Sequence, residues 1–201
     1  MVRPFGRQTG KGMKETMTKK SYSITLTVAI ASLIAFAPQM TAKTAGSVTV
    51  AQEARETLKE LKGVAAKAAG SAERLEMISR NPNISADSHF TPLQELRLDV
   101  NTMGAEIAGL EAQRDSLDLW EQAAVDKVLP LLKEAADNTQ SAIHYFNESH
   151  LYLWGPDYHS YTAKVERDSD QIAQTLKTYL KYEDVREAEL QLQSTIGAGS
   201  N

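Results

Sequence analysis

From Ala51 onward, small and apolar residues recur at Ala51, Ala54, Leu58, Leu61, Ala65, Ala68, Ala72 and Leu75. The steps alternate between three and four residues, the seam of a helix packed on neighbours rather than the two-residue period of a strand. Glu53, Glu56, Lys59, Glu60, Lys67, Glu73 and Arg74 fill the intervening positions, so the opposite face is solvated. Alanine holds five of the eight seam positions, which lets a partner helix approach closely. Asn81-Pro82-Asn83 ends this helix near Arg80, since proline cannot continue it.

A second helix is expected from Thr91-Pro92, with threonine as N-cap, proline in the first turn and Gln94 as the capping-box partner. Its seam is Leu93, Leu96, Val100, Met103, Ile107 and Leu110. Asp118 and Glu121 then read as a capping box after a turn at 113–118. One continuous helix from 91 to 149, in an elongated three-helix arrangement, is the alternative, because Leu117, Ala124, Val128, Leu131 and Ala135 keep the same phase. That helix would be about 88 Å long against about 50 Å for the first, leaving much of its seam uncovered, so the turn is preferred.

The third helix carries Val128 and Leu131 on its seam and runs through Ala142 to Tyr145, with Pro130 inside it. Trp154-Gly155-Pro156-Asp157 punctuates the chain before a last helix with Tyr158, Val165, Ile172, Leu176 and Leu180 facing inward. Ser169 weakens the middle of that seam, and residues 197–201 read as a disordered tail. The expectation is an all-α protein, an up-down four-helix bundle of long coiled-coil-like helices spanning 46–196.

Composition changes the picture at the N-terminus. The net charge of -4 averages two unlike parts. Residues 1–45 hold seven basic residues and one acid, leaving 15 basic against 25 acidic residues, a net of -10, in the rest. Lys19-Lys20 followed by the uncharged stretch Ser23–Ala37 resembles a secretory signal. Fifteen residues rise only about 22 Å as a helix, short of the hydrocarbon core. Cleavage is expected between Ala42 and Gly46, giving a periplasmic or secreted protein; an uncleaved N-terminal anchor is the alternative. No later run is long enough to span a bilayer, and an acidic body without basic clusters disfavours nucleic acid as a partner.

Candidate chemistry is sparse. The absence of cysteine excludes thiolate metal sites. No GxSxG elbow, phosphate-binding loop or HExxH pair is present, so no catalytic set is expected. Three of the four histidines fall between Ile143 and His159. His144 and Glu148, four apart on one helix face, with His150 and His159 across the following turn, make a candidate zinc or copper site. The plainer reading, an aromatic cap on the core with solvated histidines, is favoured because no recognised ligand spacing occurs. Met103 reads as core filler with Met77 beside it, which leaves no haem-binding pair. The reading is therefore an exported bundle that binds or scaffolds through its helix faces, with a protein partner or a second copy and no cofactor. The metal-binding bundle is the alternative.

Overall fold

The computed structural model describes residues 46–149 and 152–198, with side chains from 51 to 196; the leader assigned to 1–45 lies outside them. The described residues form four α-helices: α1 (Gly46–Ser79), α2 (Asp87–Ala112), α3 (Leu119–Glu148) and α4 (Pro156–Ala198). No strand occurs among the described residues. Helix α1 packs on α2 and α4, and α3 packs on the same two, so the seams close around one core. The protein is an all-α bundle.

Contacts fix how neighbours run. Arg55 near the start of α1 bonds Asp184 and Glu187 late in α4, while Ser79 at its end meets His159 at the start of α4. Arg74 of α1 pairs with Glu95 of α2. Phe90 at the start of α2 lies beside Phe146 at the end of α3. One end of the bundle therefore holds the 80–86 turn and the junction of α3 with α4, and the other holds the 113–118 turn.

The 3–4 seams are the core. Leu58, Leu61, Ala65, Ala68 and Leu75 of α1 are fully buried, as are Leu93, Leu96 and Met103 of α2; Val100, Ile107 and Leu110 are nearly so. Val128, Ile172 and Leu176 are likewise buried. The chain breaks where the capping box predicts: a 3-10 turn spans Arg114–Ser116, and the Asp118 N–H donates to Glu121 Oε2 at 2.8 Å. The single helix over 91–149 does not form. Arg114 locks the turn by bonding both Glu111 and Asp126.

Three expectations need correction. Helix α2 begins a turn early, at Asp87, with Ala86 in place of a side-chain cap and Pro92 inside the helix. Buried His89 and half-buried Phe90 anchor that extra turn on the core. The proline forfeits only a bond to the Ser88 carbonyl, on an exposed residue. On α3, Leu132 takes the seam and Leu131 packs only at its edge. With Val128 at the centre of the stripe, Leu132 lies about 40° away and Leu131 about 60°. Met77 is exposed, because it stands about 200° around α1 from Leu75. At the far end, α4 continues to Ala198, and 199–201 lie outside the described residues.

The seam of α4 is interrupted by polarity. Asp168 and Ser169 are buried, and so is Thr139 of α3. Asp168 Oδ1 accepts from Arg167 at 2.8 Å, but its Oδ2, Ser169 Oγ and Thr139 Oγ1 have no partner. A buried hydroxyl without a partner loses its hydration for nothing in return. Leu96→Ala is expected to cost about 2–5 kcal/mol by opening a cavity. Ser169→Ala is expected to leave the urea midpoint unchanged or raise it, since it removes an orphan and little volume. Urea unfolding followed by circular dichroism checks both.

Candidate functional site

At the end of α3, Ile143 and Phe146 turn into the core while His144 and Glu148 face solvent, His144 Nε2 lying 3.1 Å from Glu148 Oε2. The chain then folds back in a tight turn. Ser149 N–H donates to Tyr145 O, Tyr152 N–H to Ser149 O and Gly155 N–H to Tyr152 O, at 2.8–2.9 Å. Leu153 plugs the core end beneath exposed Tyr152 and Trp154, whose rings are 6.0 Å apart. Gly155 is required by space: a Cβ there would stand 2.9 Å from Tyr145 Oη and 3.0 Å from Tyr152 O.

The first turn of α4 then carries Tyr158 and His159 inward. The His159 ring meets α1, with Nδ1 3.1 Å from Ser79 Oγ. Ser79 Oγ also lies 2.8 Å from the Glu76 carbonyl oxygen, to which it donates. With its proton directed there, the serine oxygen is left to accept from the imidazole. Of the four metal candidates, the structure pairs His144 with Glu148 and places His159 against Ser79; His150 lies outside the described residues. Among the described residues no three His, Asp or Glu side chains converge as a metal-binding group.

The fourth histidine is what the sequence reading missed. His89, set among polar residues of an expected loop, is buried, and its ring meets Tyr158 edge-on at 5.5 Å. Tyr158 in turn lies 5.9 Å from Tyr145. His89 Nδ1 and Tyr158 Oη have no partner. Burial, helped by repulsion from His159, lowers the His89 pKa from 6.5 to about 4; burial likewise raises that of the Tyr158 phenol. The signal was present, since stepping back four residues from Leu93 along the 3–4 seam lands on His89.

Two other features stand out. On α4, Tyr182, Val185, Leu192 and Ile196 are all exposed. Their spacing of 3, 7 and 4 places them on one face, roughly opposite the side that Leu176, Leu180 and Glu183 turn to the core. Leu190, also exposed, continues the inward side beyond the body. At the 113–118 end, two acids are buried: Glu121 of α3 and Glu183 of α4. Arg55 of α1, bonded to Asp184 at 2.5 Å and to Glu187 at 2.6 Å, stands beside them.

No protein-family model matches the chain, and no curated protein or solved structure matches it significantly.

The neutral, buried His89 carries a pH signature. Because its folded pKa is depressed, the folded state resists a proton that the unfolded chain accepts; stability is full above pH 6.5 and is lost as pH falls through about 4. His89→Leu is expected to lose less stability than the parent between pH 7 and pH 5, read as urea midpoints. Gly155→Ala is expected to destabilise at both pH values, since the methyl group must displace Tyr145 or the Tyr152 carbonyl.

Proposed function

We propose that this is an exported, periplasmic or secreted protein whose bundle binds or scaffolds through its helix faces, without catalysis. The observation that carries the reading is the outer face of late α4, where Tyr182, Val185 and Leu192, followed by Ile196, are exposed on the side away from the core. Scattered apolar residues on a surface need no explanation, but a run at helical spacing is what one helix offers another. The partner is a helix, supplied by a second copy or by another protein. Export is supported by Lys19-Lys20, the apolar stretch Ser23–Ala37 and the small residues between Ala42 and Gly46. No described helix is long and apolar enough to cross a membrane.

Sedimentation velocity over a concentration series, together with pull-down from envelope extract, tests the binding role. The chain is expected to associate, and Val185→Glu with Leu192→Glu is expected to abolish the association. Because both positions are exposed, the unfolding free energy should stay within about 0.5 kcal/mol. A monomer at all concentrations, with no partner retained, refutes the reading. Cell fractionation and N-terminal sequencing of the mature chain test export, with a new terminus expected between residues 43 and 46.

A metal-binding role keeps one favourable observation, the His144–Glu148 pair on the exposed face of α3. If that pair holds zinc or copper, purified protein supplemented with the metal retains it at stoichiometric level and His144→Ala releases it. Elemental analysis separates this reading from the first.

A further inference from the structure

The exposed face of late α4 carries a charge at its centre. Tyr182, Val185, Glu189 and Leu192 step by 3, 4 and 3 residues, the spacing of the buried seams, and all four are exposed. Glu189 stands about 20°, 40° and 60° around the helix from Tyr182, Val185 and Leu192, so it lies within the apolar stripe. Ile196 continues the run by a step of four.

The other charges of this segment are turned away or already engaged. Asp184 and Glu187 hold Arg55 of α1 on the far side of the helix, about 140° and 160° from Glu189. Arg186, one turn before Glu189, donates from Nη2 to buried Glu183 at 2.7 Å, and Asp118 of α3 attracts it to the same side. Lys181 stands about two turns back. Gln193 Nε2, a neutral donor, lies 3.4 Å from Glu189 Oε1. Among the described residues no lysine or arginine is paired with this carboxylate.

That arrangement discriminates between occupants. A second copy packed parallel sets Glu189 against Glu189. Packed antiparallel, with Val185 of each copy against Leu192 of the other, it brings both Glu189 side chains to the twofold axis. Either way two ionised carboxylates lose their water within an apolar strip and gain no cation. A helix that presents lysine or arginine at the matching position keeps the apolar contacts and pairs the charge.

We infer, resting on the docking role proposed for late α4, that its occupant is a helix of another protein, apolar at 3–4 spacing with a central lysine or arginine that meets Glu189. The same carboxylate that recruits the cation repels a second copy, so one residue selects the partner and keeps the chain from pairing with itself.

Sedimentation equilibrium of the mature chain and two variants tests the pairing. Glu189 is exposed, so Glu189→Leu and Glu189→Lys are expected to keep the parent's urea midpoint. Glu189→Leu is expected to self-associate roughly tenfold more tightly than the parent, since it removes the repulsion. An equimolar mixture of parent with Glu189→Lys is expected to pair roughly tenfold more tightly than either alone, and high salt to weaken that mixed pair. A parent that pairs with itself as tightly as Glu189→Leu does, and loses the pairing with Val185→Glu, makes the occupant a second copy: the docking role stands and the cationic partner is overturned. A mixture no tighter than its components also overturns it, whatever the envelope pull-down retains, because the carboxylate then selects nothing. Should Glu189→Leu prove insoluble, the mixture decides alone.

Discussion

The bundle depends on how closely its first helix can be approached. Ala54, Ala65, Ala68 and Ala72 leave α1 with a narrow buried face, so α2 and α4 can pack near its backbone while leucines at 58, 61 and 75 supply the apolar mass. Alanine freezes no side-chain rotamers on docking, so α1 is ordered at low entropic cost. The aromatic rings of the core come from the other helices, Phe146 of α3 and Tyr158 of α4. Helices α2 and α4 pack directly on α1, and α3 closes the core against those two.

From this arrangement the two ends acquire different chemistry. One is closed by rings, with His89, Tyr158 and Tyr145 in edge and tilted contacts and Phe90 beside Phe146. The other is closed by charge, with Arg55, Glu121, Glu183 and Arg186 around the capped start of α3. Both ends bury groups that prefer to be neutral there, a base at one and an acid at the other. Protons consequently act on the two ends in opposite directions, and the total stability of the bundle hides part of what each end does.

Much of the fold was legible because the 3–4 seams are long and the turns carry strong signals. The Asp118–Glu121 capping box located the break in a stretch whose apolar phase never falters. What escaped was governed by packing. The start of α2 was misplaced because Thr91-Pro92 makes a good N-terminus by itself, whereas buried His89 holds one more turn on the core. Leu131 and Leu132 are equally apolar, and only the centre of the stripe decides between them. The candidate site was less readable. His144 and Glu148 met because helical spacing dictates it, but His159 went to Ser79 across the bundle, and no local pattern encodes such a contact. The burial of Glu121 was hidden for the same reason, since the sequence marks it only as a capping-box residue.

The buried polar residues midway along α4 have one more consequence. A seam of repeating threes and fours matches itself after a slip of seven residues, so a bundle built only of such seams could settle in several registers. Asp168 and Thr139 have no buried polar counterpart seven residues away on their helices. A heptad slip of α4 would carry the buried Asp168 carboxylate, together with the Arg167 that meets it, to a different level of the neighbouring helices. The polar layer thereby acts as an index mark on otherwise interchangeable threads, trading some stability for a single alignment.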